Sequence, residues 1–216
     1  MIGKWNRTFK QTHKDYNMQA LRLVQNNNFD IKYNLGNEIG YGADGQVFNL
    51  SDHEDWVIKI SVLYDSLVVE NPKYNQIYSV LEDIKRGNYP MCACVYDHKY
   101  IGCGTERAYI GERHYILYYY VMEKLDKITE DEKKVFYSLL SHEDRNVKKN
   151  YSLASATDML RGMQRGLDFD YNKVFRFYRV LKESNFYHMD LHPRNIMKDS
   201  EGNFKLIDFD RVMIGD

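Results

Sequence analysis

The stretch Tyr187-His188-Met189-Asp190-Leu191-His192-Pro193-Arg194-Asn195-Ile196-Met197, with Lys205-Leu206-Ile207-Asp208-Phe209-Asp210 shortly after it, constrains this chain more than any other part of it. The apolar runs Asn195 to Met197 and Phe204 to Ile207 read as two short strands. Between them Ser200-Glu201-Gly202-Asn203 is a turn, with Gly and Asn able to supply positive φ. Such a hairpin brings a side-chain amide (Asn195) close to a carboxylate (Asp208), with a second carboxylate (Asp190) on the loop that feeds it. Oxygen ligands of this kind suit Mg²⁺, which binds through one or two carboxylates plus substrate phosphates.

A chain of 216 residues is long enough for one large domain or two small lobes sharing a cleft. Its net charge of −1 gives no reason to expect a nucleic-acid or acidic-membrane partner. No apolar run approaches the ~20 residues that span a bilayer, and Met1 to Arg7 lack the apolar core of a signal peptide. Three cysteines, an odd number, argue against a disulfide framework and for a reducing compartment. These features describe a cytoplasmic protein.

The first 30 residues carry a weak helical pattern at Tyr16, Ala20, Leu21, Leu23 and Val24 that ends in Asn26-Asn27-Asn28. It predicts a helix packed on the main body. From Tyr33 the pattern turns strand-like, and Gly40-x-Gly42-x-x-Gly45-x-Val47 lies between two expected strands. A lone G-x-G-x-x-G is weak, but here the loop leads into a strand (Val47-Phe48-Asn49-Leu50) and not a helix, which sets aside a dinucleotide fold. Lys59 sits in the apolar run Trp56 to Ile60, 14 residues past Gly45. Taken singly it is an edge-strand lysine with its head in water.

A helix is expected from Asn71-Pro72 to Arg86, stopped by Gly87, with Tyr74, Ile77, Leu81 and Ile84 as its stripe. Met91 to Tyr96 and Arg107 to Leu125 are expected strands. Cys92, Cys94, His98 and Cys103 miss the usual zinc spacing, and small buried thiols are the better reading. Thr129-x-x-Glu132 is a capping box opening a helix to about Leu140. Residues 142 to 155 read as a charged loop. A further helix from about Tyr171 carries Val174, Phe175, Phe177, Tyr178 and Leu181 and delivers the chain into His188.

The glycine loop, the strand lysine, H-x-D-x-x-x-x-N and an aspartate 13 residues after Asn195 occur in an order and spacing that resemble the protein-kinase-like superfamily. The resemblance covers about residues 38 to 210. It implies an α+β, bilobal fold, with a β-rich N-lobe over residues 1–122 and a short, helical, reduced C-lobe over 123–216. It also implies ATP and Mg²⁺ as cofactors. Asp190 is then the catalytic carboxylate facing the acceptor hydroxyl, and Asn195 and Asp208 are the metal ligands. Lys59 pairs the phosphates, and Gly40, Gly42 and Gly45 cover them. Ile39, Val47 and Met197 sandwich the adenine. Met122 is the gatekeeper, and the Glu123 carbonyl and Leu125 amide meet the adenine edge. His188 braces the catalytic loop.

Four departures from the family pattern stand out. No glutamate on the expected helix suits Lys59, since Glu82 lies off its stripe and Glu70 precedes the proline. Asp210 replaces the usual glycine of the metal triplet. His192 stands where protein kinases usually carry lysine, and Asp-Leu-His-Pro-x-Asn is similar to the aminoglycoside-phosphotransferase branch. The chain ends six residues after the triplet, which on the resemblance leaves no room for an activation segment or peptide-docking helices. In this it resembles minimal atypical kinases of the Bud32 and Rio type and small phage-encoded kinases. The resemblance therefore implies a minimal serine/threonine protein kinase, with a protein substrate or activating partner chain. A small-molecule kinase and a nucleotide-binding pseudokinase that works through a partner are the alternatives.

Overall fold

The computed structural model describes residues 19–42, 44–65, 72–107, 112–140 and 152–215. The chain is an α+β protein, as expected. It divides into two compact units, one holding residues up to 75 with 95–123, the other holding 76–94 with 124 onward.

The first unit is built on an antiparallel sheet of β1 (Leu35–Tyr41), β2 (Gly45–Leu50), β3 (His53–Asp65), β4 (Val95–Arg107) and β5 (Glu112–Glu123), in the order β1-β2-β3-β5-β4. Side chains alternate across a pleated strand. One face of β2, β3 and β5 therefore carries Phe48, Leu50, Ile58, Ile60, Val62, Leu117, Tyr119 and Val121, all buried. Helix α1 (Gln19–Asn26) closes this face with Ala20, Leu23 and Val24. The expected N-terminal helix thus exists and is packed. A buried glutamine helps fix it: the Leu21 amide donates to Gln46 Oε1 at 3.0 Å, and Gln46 Nε2 donates to Glu38 at 2.7 Å.

Strand β4 corrects the sequence reading. Met91 to Cys94 are not strand, apart from a single bridge between Cys92 and Leu206; the strand starts at Val95 and continues to Arg107. It escapes a periodicity search because it is an edge strand with two register shifts, near Val95/Asp97 and Tyr100/Gly102. Its glycines serve close packing: a side chain at 102 would run into the Phe29 ring, and one at 104 into Tyr115.

The second unit contains α2 (Pro72–Lys85) from residue 76 on, with Ile77, Val80, Leu81 and Ile84 buried and Gly87 at φ 80 after its end. It also contains α3 (Glu130–Leu139), α4 (Leu153–Met163) and α5 (Tyr171–Glu183). The capping box forms as expected: Glu132 N–H donates to Thr129 Oγ1 at 3.2 Å, and Thr129 N–H to Glu132 Oε2 at 2.7 Å. Glu132, only 6% exposed, also holds Lys198 at 3.1 Å. Helix α4 is an addition to the sequence expectations, and its first residues replace part of the predicted loop at 142–155. Its apolar signal is thin, because only Ala156 and Leu160 are buried, although Ser152 caps it through Ser155 N–H. The short strands β6 (Asp126–Lys127), β7 (Phe186–His188), β8 (Ile196–Lys198), β9 (Phe204–Leu206) and β10 (Val212–Ile214) carry the loops of interest.

None of the three cysteines is in a disulfide, but only Cys92 is buried as expected. Cys94 and Cys103 are exposed, because the edge of the sheet and the segment before it face solvent. Burial pushes the Cys92 thiol well up. Ellman's reagent is expected to label Cys94 and Cys103 promptly in the native protein and Cys92 only on unfolding. Prompt labelling of all three would contradict this packing.

Candidate active site

In the first unit the glycine loop and the lysine are neighbours. Tyr41 pairs with Gln46 at the turn, and Gly42 N–H donates to the Gly45 carbonyl at 2.8 Å. Val47 faces Lys59 across β2–β3, and Lys59 faces Tyr120 across β3–β5. Directly paired residues share a sheet face, so Val47, Lys59 and Tyr120 lie on the side away from α1. Lys59 is 5% exposed, its ammonium 6.0 Å from the Tyr120 ring centre. An edge-strand lysine with a solvated head does not describe it, since β3 is an interior strand. Ile39 is half exposed, Met122 is buried at the end of β5, and Glu123 is partly buried.

The three glycines differ in what they are for. A Cβ on Gly45 would stand 2.3 Å from the Ile60 carbonyl oxygen, so β2 cannot approach β3 with any other residue there. A Cβ on Gly42 would meet nothing within 4 Å, and one on Gly40 only Val47 at 3.9 Å. Packing among the described residues does not demand glycine at 40 or 42. Bare backbone there leaves room for a ligand to approach the loop.

In the second unit the hairpin forms as expected. Ile196 pairs with Leu206, and Ile207 N–H donates to the Asn195 carbonyl at 3.0 Å. The turn places Gly202 at φ 75, with its N–H on the Asp199 carbonyl at 2.8 Å. Asn195 ends a 3-10 turn, Pro193–Asn195, that packs against α3. Its Nδ2 donates to the Asp190 carbonyl at 3.0 Å, closing the five-residue loop. With its nitrogen so occupied, the amide keeps Oδ1 as its acceptor.

Asp208 has φ 67 and ψ 74, one of two non-glycine residues at positive φ among those described. A left-handed non-glycine residue costs ~1–3 kcal/mol and persists where its surroundings enforce it. The enforcement is visible at the preceding residue. Ile207 is held through its N–H by Asn195, and its carbonyl accepts from His188 Nε2 at 2.8 Å. His188 is buried on β7, beside Val212 of β10. Burial holds its pKa below the ordinary imidazole value, against the opposite pull of the Ile207 carbonyl and of Asp208 and Asp190. Since a carbonyl only accepts, Nε2 carries the proton, and Nδ1 is buried with no hydrogen bond among the described residues. His188 therefore links the stretch that leads into Asp190 to the residue before Asp208. Met189 N–H adds a bond to the Arg211 carbonyl at 2.7 Å.

Asp190 is 38% exposed, and His192 Nε2 lies 3.6 Å from its Oδ2. Arg194 N–H donates to His192 Nδ1 at 3.1 Å, so a ring proton sits on Nε2, on the Asp190 side. Asp210 is buried within the 3-10 turn Phe209–Arg211, which carries the chain into β10. Met197 is partly buried on β8, between Lys127 and Lys205. Leu125 follows β5. Of the two glutamates weighed against Lys59, Glu82 stands 3.6 Å from Arg86, and Glu70 lies outside the described residues.

Among the described residues no group of three or more His, Cys, Asp and Glu side chains could hold a metal. The hairpin places Asn195 and Asp208 near one another along the chain path, through the Ile207 N–H bond to the Asn195 carbonyl, and both offer oxygen donors. That set suits a hard cation completing its shell with phosphate and water, so the residues present fit Mg²⁺.

No protein-family model matches the chain, and no curated protein matches it. Among solved structures it is similar to the ROP18 kinase domain in complex with AMP-PNP and sucrose, at 13% identity and a TM-score of 0.44, over 84% of this chain and 52% of that one. It is also similar to WbdD, at 17% identity and a TM-score of 0.36, over 84% of this chain and 34% of that one. The chain thus spans about half the length of the first and a third of the second. Identities this low say nothing of activity, so the functional reading rests on the residues of the site.

Proposed function

We propose that the chain is an ATP- and Mg²⁺-dependent phosphotransferase that moves a γ-phosphoryl group to a serine or threonine hydroxyl of a protein. The observation that carries this reading is the local geometry of Asp190, Asn195 and Asp208. One amide is tied to the Asp190 backbone with its oxygen left over, beside a carboxylate held in a strained conformation.

In this reading Asn195 and Asp208 hold Mg²⁺, whose charge offsets that of the β- and γ-phosphates. Lys59 pairs the α/β-phosphates, and the amides around Gly40 and Gly42 cover them. Ile39, Val47 and Met197 contact the adenine, with Met122, Glu123 and Leu125 along its edge. Asp190 orients the acceptor hydroxyl and takes its proton as the oxygen bonds to the γ-phosphorus. The bond from that phosphorus to the bridging oxygen breaks, and ADP leaves with the electron pair. Rate enhancement then comes from positioning and charge compensation.

His192 beside Asp190 favours a second reading, a small-molecule kinase of the aminoglycoside-phosphotransferase type. Incubating the protein with γ-labelled ATP in a cell lysate separates the two. Label in acid-precipitable protein is the expected result. Label confined to small molecules selects the second reading, and label in neither leaves a pseudokinase that acts by binding a partner.

A further inference from the structure

The second unit has a cavity between α5 and the β8–β9 hairpin, lined by none of Asp190, Asn195 and Asp208. It measures about 280 Å³. Its apolar lining includes Met91, Phe177, Val180 and Phe204, and Lys173, Arg176 and Lys205 line it as well. Among the described residues no acidic side chain lines it.

Both lysines are fixed, and Lys205 is in addition ion-paired. Lys173 Nζ donates to the Glu201 carbonyl, and Lys205 Nζ to the Pro90 carbonyl at 3.0 Å. An ammonium has three donors, so each lysine keeps N–H groups to offer. The Asp199 carboxylate stands 3.9 Å from Lys205 Nζ, within ion-pair range, and offsets that charge. The Asp199–Asn203 turn sets the rim, since a Cβ on Gly202 would stand 2.9 Å from Lys173 Nζ. Arg176 is exposed, one residue before the buried Phe177.

The geometry points to a docking site for an acidic segment of a partner polypeptide, anchored by one aromatic side chain. Charge complementarity selects the sign of the partner: Lys173 and the exposed Arg176 line the cavity beside the Asp199-paired Lys205, and no carboxylate among the described residues lines it. Size selects the anchor. The cavity falls just below the ~300–1,000 Å³ of pockets for drug-sized ligands and suits a single large side chain, the kind of buried anchor on which interfaces concentrate their energy. This inference stands apart from phosphoryl transfer, because none of its residues belongs to the proposed catalytic set.

Fluorescence anisotropy on the full chain tests it, with a fluorescein-labelled peptide of glutamates around one central phenylalanine as probe. Saturable binding is expected, weakening as salt is raised. Affinity should fall about tenfold or more when alanine replaces the phenylalanine, or in Arg176→Glu, and less in Arg176→Gln. Arg176→Glu should bind Mg·ATP as the unaltered chain does, which also reports that it is folded. Equal affinity for the same peptide with lysines in place of glutamates would overturn the proposal. So would unchanged affinity in Arg176→Glu, or sodium phosphate binding with no peptide binding, which marks a simple anion site.

Discussion

Asp190→Asn is expected to leave affinity for Mg·ADP nearly intact while cutting phosphoryl transfer by ~10²-fold or more. The Asp190 side chain is open to solvent, whereas its backbone carbonyl makes the structural bond to Asn195. The substitution therefore removes a proton acceptor and spares the loop. Asp208→Asn should act differently. It removes the negative charge from the proposed Mg²⁺ site and is expected to weaken Mg·ADP binding and abolish transfer together. Calorimetric titration with Mg·ADP beside a single-turnover assay distinguishes the two. Loss of binding in Asp190→Asn as severe as in Asp208→Asn would show the roles to be wrongly divided. Full activity in both would move the chemistry elsewhere in the chain.

Phe136→Ala is expected to destabilise the protein by ~3–5 kcal/mol, the usual cost of deleting a buried aromatic ring. Phe136 is fully buried on α3, edge-on to Phe204 at 4.9 Å and to Phe177 at 5.5 Å. It joins α3, α5 and the hairpin strand β9. Such a loss is a large part of the ~5–15 kcal/mol that separates folded from unfolded proteins. The same helix packs against the 3-10 turn that ends in Asn195, so weakened nucleotide binding should accompany the loss. Urea unfolding checks the first effect, through a midpoint that falls at unchanged slope. A midpoint equal to that of the unaltered chain would contradict the packing described for Phe136. Phe136→Leu should fall in between.

The parts of the fold legible in the sequence are those whose causes are local. The β8–β9 hairpin announces itself through two apolar triplets and a turn with Gly202, and the structure puts Gly202 at the positive φ that the turn requires. The α3 capping box depends on Thr129 and Glu132, three residues apart, and both of its bonds form. What stayed hidden depends on distant partners. The apolar run around Lys59 reads by itself as an edge strand with a solvated lysine head. The burial of that lysine follows only from the interior place of β3 in the sheet. Strand β4 looks polar because it lies at a sheet edge and is broken by bulges, and β7 and β10 are three residues each and make sense only as a pair. The grip of His188 on the Ile207 carbonyl joins residues 19 apart, and only the fold shows that it steadies the residue before Asp208. The cavity between α5 and the hairpin leaves no periodic trace at all, because its three cations come from two separate stretches of the chain.

Calorimetric titration of the purified protein with ATP, with and without Mg²⁺, tests the central claim most directly. A ligand that binds only the folded chain also raises its melting temperature, which gives a second readout on the same sample. Saturable binding is expected with Mg·ATP, weakened when Mg²⁺ is chelated and weakened again in Lys59→Met. No heat and no shift of melting temperature at millimolar Mg·ATP would contradict the assignment of Lys59, Asn195 and Asp208 to a nucleotide.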